Sequence, residues 1–147
     1  MTNKLSIHFI LPAGGVKGCF QAGFLYRLFK SYSSCFEVYQ IDGCSVGAIN
    51  GYAACKGRFD YFKEMWDNIN SFQDLFSSPN VPVVSNLITF YNGFYKKGFY
   101  KNNKLSAMIE GAEKEDNNCT TEKFNCVVTN INTGEYEYIN GANKNIK

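Results

Sequence analysis

The residues best suited to covalent chemistry are Gly43-Cys44-Ser45-Val46-Gly47, which read Gly-x-Ser-x-Gly. An extended, partly apolar run precedes them at residues 36–41, and a helix-like run follows at 48–55. A serine on a sharp turn from strand to helix presents its hydroxyl outward, and glycines on either side remove side chains that would collide. This order predicts a nucleophile elbow, with Ser45 as nucleophile, Gly43 and Gly47 as its supports, and the dipoles of the next helix aimed at it. A chance loop of two glycines and a serine is the competing reading, and five residues alone do not decide.

A second glycine-bearing bend lies upstream. Residues 5–11 are a short apolar run, read as a strand buried on both faces of a parallel sheet. Residues 12–18, Pro-Ala-Gly-Gly-Val-Lys-Gly, then open a helix in which Phe20, Phe24 and Leu28 recur at spacing four, with Leu25 beside them, as its apolar face. A glycine loop between strand and helix leaves amides free to bind an anion. Phosphate is one such anion, but neither dinucleotide-loop nor P-loop spacing is present. The developing oxyanion of an ester under attack is the other, and Ser45 one strand later favours it.

The two motifs together resemble the patatin-like phospholipases. Residues 13–25 look like that family's oxyanion loop and first helix, where the loop reads Gly-Gly-Gly-x-Lys/Arg-Gly, and Gly43 to Asn50 looks like its elbow. The resemblance implies Ser45 as nucleophile, Gly14 and Gly15 as oxyanion-hole amides, and Gly18 as a close helix start. Ala13 stands at the family's first glycine, and Lys17 at its basic position, read as a loop-shaping or solvated cation. A strand, a Thr-Gly-Glu turn and a return strand over residues 124–139 also resemble the family, so the likeness spans about residues 5 to 141.

The resemblance further implies a Ser-Asp dyad, with the aspartate in an Asp-Gly-Gly or Asp-Gly-Ala motif beyond that hairpin. The sequence holds one Asp-Gly, Asp42-Gly43, inside the elbow itself. Asp42 is expected to end its strand and to point away from Ser45. His8, the single histidine, falls mid-strand and is read as a packed or satisfied core side chain rather than a base. Three explanations stay open: a piece of a longer or split gene product, a shortened inactive homologue that keeps a lipid-binding surface, or an aspartate supplied by another chain.

Bulk properties narrow the remaining classes. The 147 residues fit one domain, read as residues 1–147 and truncated before the catalytic Asp region, and 45% hydrophobic content supports a core. A net charge of +2 offers no basic stripe for nucleic acid. Six cysteines without a Cys-x-x-Cys pair argue against zinc, and thiols scattered in apolar stretches read as buried and reduced, although parity permits disulfides. No apolar run reaches the ~20 residues of a membrane span, and residues 4–14 are read as the first strand rather than a signal peptide. The location is left open between cytoplasm and a membrane surface.

The rest of the chain supplies scaffold. Phe59, Phe62, Met65, Trp66 and Ile69 recur at helical spacing, with Asp60, Lys63, Glu64 and Asp67 on the polar side. Asp60, Asp67 and Asp74 are read as solvated rather than catalytic. Residues 77–82 form a loop with two prolines, and residues 90–101 hold six aromatics and three lysines. That mixture suits a lipid headgroup layer and is proposed as a rim near Ser45, against the alternative that the rings fill the core. A short helix begins at Leu105, Met108 and Ile109, capped by Asn102 or Asn103 and stopped at Gly111; residues 113–122 are a surface loop.

The expected fold is thus α/β, a three-layer sandwich on a mostly parallel sheet, incomplete at its C-terminus. The expected function is a lipid acyl hydrolase that needs no cofactor or metal, with calcium left open, and with lipid as partner. A catalytically inactive lipid- or membrane-binding module is the alternative, and a nucleotide-binding domain a weaker third.

Overall fold

The computed structural model describes residues 4–69, 107, 109–111 and 121–142. Strand β1 (Leu5–Leu11) leads through a 3₁₀ turn (Gly15–Lys17) into helix α1 (Gly18–Tyr32). Strand β2 (Phe36–Cys44), helix α2 (Val46–Cys55) and helix α3 (Phe59–Asp67) follow. After a 3₁₀ turn at Thr121–Lys123 come β3 (Phe124–Thr129) and β4 (Tyr136–Asn140). Of the short helix expected after residue 105, residues 107 and 109–111 are helical. Asp74, the proline loop, the aromatic stretch at 90–101, the proposed cap at Asn102 or Asn103 and most of the polar loop at 113–122 lie outside the described residues; Thr121 and Glu122, at its end, belong to the second 3₁₀ turn.

The strands form one four-stranded sheet in the order β1-β2-β3-β4, parallel between β1, β2 and β3 and antiparallel between β3 and β4. The β3–β4 connection closes with Gly134 at φ 75° and with the Asn130 amide bonded to the Glu135 carbonyl at 2.8 Å. The fold is therefore α/β with a mixed, mostly parallel sheet.

One sheet face is covered. Phe9, Leu11, Phe36, Ile41 and Phe124 pack with Leu25 of α1 and with Ala54 and Cys55 of α2 into a single buried cluster. Helix α2 is at the centre of the helical layer and buries Val46, Gly47, Asn50, Gly51, Ala53, Ala54 and Cys55. The apolar face of α3, expected to pack on the sheet, instead turns Phe62 and Trp66 onto α2. Asp60 and Asp67 stay on the surface, paired with Lys30 of α1 and with Lys63. The Lys30 hydrogen bond holds the Asp60 carboxyl below its ordinary range.

Several expectations change here. β1 is not buried on both faces: Ile10 is 74% exposed while its neighbours Phe9 and Leu11 are buried. Among the described residues the helices line one face, so sheet and helices there make two layers of the expected sandwich. Phe20 and Phe24 do not face the core; they are exposed, and Leu25, Leu28 and Phe29 carry the packed side of α1. The thiols of Cys19, Cys35 and Cys44 are exposed rather than buried, with Cys55 buried and Cys126 half-buried.

Candidate active site

The pairing of β1 with β2 sets the site. Leu11 lies opposite Gly43 in a parallel pair, so both strands end at the same edge of the sheet, side by side. The loop that leaves β1 and the elbow that leaves β2 must therefore be neighbours. That edge, at the carboxyl ends of parallel strands, is where open α/β sheets place their ligands.

Ser45 is the first residue after β2 and caps α2. Its backbone has φ 54° and ψ −125°, and no other described non-glycine residue has a positive φ. L-residues avoid this region at a cost of roughly 1–3 kcal/mol. The side chain is exposed and makes no capping bond to α2, while its carbonyl accepts from Ala48 at 2.9 Å. An exposed serine on a strained backbone, with no side-chain hydrogen bond among the described residues, is what a strand–turn–helix nucleophile requires. Helix α2 begins at Val46, two residues sooner than its apolar run suggests, and β2 runs to Cys44, past Asp42.

The glycines do the steric work that the pattern implies. A Cβ on Gly47 would stand 2.1 Å from the Leu11 carbonyl oxygen, and one on Gly43 would stand 2.5 Å from Ala48 Cα. The elbow is thus wedged directly onto the end of β1. Gly18 makes the matching contact from the other side, where a Cβ would lie 2.3 Å from Val46 Cγ2. A Cβ on Gly14 would likewise reach Val46 Cγ1 at 4.0 Å. Val46, the residue after Ser45, is in this way embraced by the glycine loop.

Within that loop Gly15 has φ 54°, and the Lys17 amide bonds back to the Gly14 carbonyl at 3.1 Å. Among the described residues, Gly14 and Gly15 donate none of the loop's main-chain hydrogen bonds. Ala13 has no positive φ, so its methyl group fits the position. Lys17 is exposed and, among the described residues, pairs with no carboxylate.

A buried polar hub locks loop and elbow together, and neither motif announced it. Asn50, 2% exposed on α2, donates to the Gly18 carbonyl at 2.9 Å and to Gln21 Oε1 at 3.1 Å. Its own Oδ1 accepts from Trp66 Nε1 of α3 at 2.9 Å, and Gln21 Nε2 donates to the Pro12 carbonyl at 2.9 Å. Every polar atom of the Asn50 amide head thus has a partner, as burial demands. The one available signal was an asparagine one turn after Val46 in a helix otherwise built from small and apolar residues.

Asp42 and His8 are placed away from this chemistry. The β1–β2 register shifts between Ile7 and His8, which pair with Val38 and Gln40, so Tyr39 is an extra residue in β2. That bulge changes which side chains face the helices: Val38 and Ile41 pack inward, while Asp42 joins a polar cluster on the open face. Its carboxylate bonds to His8 Nε2 at 2.9 Å and accepts from Asn125 Nδ2 at 2.9 Å and Gln40 Nε2 at 3.3 Å. His8 is satisfied, as expected, but it is a partly exposed surface residue and not a core one. Among the described residues no carboxylate or imidazole hydrogen-bonds to the Ser45 hydroxyl, and no group of three or more His, Cys, Asp or Glu is placed to hold a metal.

A family model for patatin-like phospholipases matches residues 9–140. The chain belongs to that family. No curated protein and no solved structure gave a match. The matched span includes both glycine-bearing bends and the β3–β4 hairpin, and membership implies lipid substrates.

Proposed function

We propose that this patatin-like chain carries the nucleophile and the oxyanion-binding half of a lipid acyl hydrolase. Ser45 Oγ attacks the carbonyl carbon of an acyl ester. The carbonyl oxygen becomes a tetrahedral oxyanion held by the amides of Gly14 and Gly15, and the alcohol departs to leave an acyl-serine that water releases. Hydrogen-bond donors of this kind are worth about 3–4 kcal/mol each in comparable sites. Gly43, Gly47 and Gly18 make the close approach possible, and Lys17 flanks the loop. In this scheme the serine proton goes to the aspartate of the Ser-Asp dyad that the family implies, whose Asp-Gly motif no residue of this sequence matches. In a complete sandwich a further layer would cover the open sheet face.

The observation that carries the proposal is the backbone of Ser45, held at φ 54° with an exposed side chain. A fluorophosphonate probe tests it. Labelling of the wild type that disappears in Ser45→Ala supports a nucleophile; a wild type that stays unlabelled overturns it. The second reading, a non-catalytic lipid-binding module, draws on the lack of any base bonded to Ser45 among the described residues. It predicts vesicle binding without labelling.

A further inference from the structure

The outer face of α1 joins exposed aromatics to basic residues. Lys17, Phe20, Phe24 and Arg27 are spaced three, four and three residues apart, so they fall along one side of a 3.6-residue helix. Phe20 is 80% exposed and Phe24 62% exposed, although large aromatics are normally buried. Gly23, between them, has no heavy atom of the described residues within 4 Å of where its Cβ would stand, so none of these overlies the stripe there. Lys17 and Arg27 are exposed and unpaired among the described residues, unlike Lys30, which is held by Asp60. From Lys4 to Phe36 the sequence contains no acidic residue, so the basic ends of the stripe are not neutralised along their own segment.

We propose that this stripe is a lipid-contact surface, with Phe20 and Phe24 entering the headgroup layer of an anionic membrane and Lys17 and Arg27 against its phosphates. An apolar face rimmed by cations is what interfacial helices present to anionic lipid, with affinity from buried area and charge together. The stripe starts three residues after Gly14, so lipid bound along it lies at the mouth of the glycine loop. The choice of lipid as occupant rests on the acyl-hydrolase reading and on charge complementarity.

The experiment is co-sedimentation of the full chain with vesicles of phosphatidylcholine, with and without 30% phosphatidylglycerol. The wild type is expected to prefer the anionic vesicles, and less so at high salt. Phe20→Ser with Phe24→Ser should weaken binding about ten-fold or more, since each ring contributes apolar area to the interface, with thermal stability unchanged. Arg27→Glu should remove most of the preference for anionic lipid while leaving residual binding to neutral vesicles. Equal binding by wild type and the double Phe variant overturns the proposal. So does a wild type that binds no vesicles, or one that self-associates in solution through a contact the Phe substitutions abolish. Fluorophosphonate labelling reads the hydrolase proposal separately: a labelled Ser45 with Phe-independent vesicle binding sinks only the surface, and Phe-dependent binding with an unlabelled Ser45 sinks only the hydrolase.

Discussion

Gly47 is seated on the main-chain carbonyl of Leu11, with room for no further atom: an added Cβ would come within 2.1 Å of that oxygen. This contact joins the elbow after β2 to the end of β1, and through Pro12 to the glycine loop. Gly47→Ala must push strand and helix apart, because both colliding groups are backbone. Overpacking typically costs about 1–3 kcal/mol, and here no flexible side chain can yield. The variant is expected to lose at least 2 kcal/mol, roughly the upper part of that range, in urea unfolding. An Ala variant as stable as wild type would mean that the elbow does not sit against β1 as described.

The backbone of Ser45 makes an opposite prediction. At φ 54° and ψ −125° a glycine is relaxed and an L-residue is not. Ser45→Gly should therefore stabilise the protein by about 1 kcal/mol or more relative to Ser45→Ala, which keeps the strain. Both variants lose fluorophosphonate labelling. Denaturant midpoints for the pair read the effect directly, and a Gly variant no more stable than the Ala variant would argue against strain at the elbow.

Asn50 bridges three elements that meet behind the site. Asn50→Leu strips the buried Trp66 indole N–H of its acceptor and removes the Asn50 donations to the Gly18 carbonyl and Gln21 Oε1. An unsatisfied buried group costs about 1–3 kcal/mol, so with the lost donations a loss on the order of 2–4 kcal/mol is expected. Trp66→Phe removes one donor, leaves Asn50 bonded to Gly18 and Gln21, and should cost less. Hydrogen exchange over residues 12–18 should speed up in the Asn50 variant well beyond the Trp66 variant. Similar exchange in both would show that the bonds to Gly18 and Gln21 do not hold the loop.

How much of this was legible follows the range of each interaction. The strand–turn–helix bend at Ser45 and the glycine loop after β1 could be read because each is local: glycines, a strand before, a helix after. Their adjacency follows from two parallel strands ending in register. That Asp42 points away from Ser45 could be read, but the sheet face it occupies could not. It depends on the bulge at Tyr39, a mismatch between strands about thirty residues apart, and one extra residue reverses the inward and outward sides. For Phe20 and Phe24, spacing placed them on a common face without saying which way that face turns. The role of Asn50 needed α1 and α3 in place before its partners existed.

The Asp42 cluster gives a test that separates an incidental carboxylate from a base. Three neighbours, His8, Gln40 and Asn125, already occupy it. Asp42→Asn keeps the shape and removes the charge. It should lower stability by about 1–2 kcal/mol through weakened charged hydrogen bonds, while Ser45 labelling changes less than two-fold. A loss of labelling comparable to that of Ser45→Ala, in a variant that remains folded, would instead make Asp42 the proton acceptor.

Two thiols on neighbouring strands should behave differently. Cys44 is exposed beside Ser45, whereas Cys126, on β3 next to it, is half-buried, and that burial, with a smaller contribution from Cys44, raises its thiol pKa. Only the thiolate is nucleophilic. At pH 8 iodoacetamide should therefore modify Cys44 about ten-fold or more faster than Cys126, since access and ionisation act in the same direction. The stability linkage has a definite sign as well. A folded-state pKa above the unfolded one means that the folded form keeps its proton longer, so the stabilisation is full below the ordinary thiol range. It is then lost as pH rises through the raised value. Thermal midpoints should fall as pH rises past the ordinary thiol range, and Cys126→Ala should flatten that fall while Cys44→Ala does not. Equal alkylation rates at the two positions, or an alkaline slope indifferent to Cys126, would contradict the placement of β3 against the helical layer.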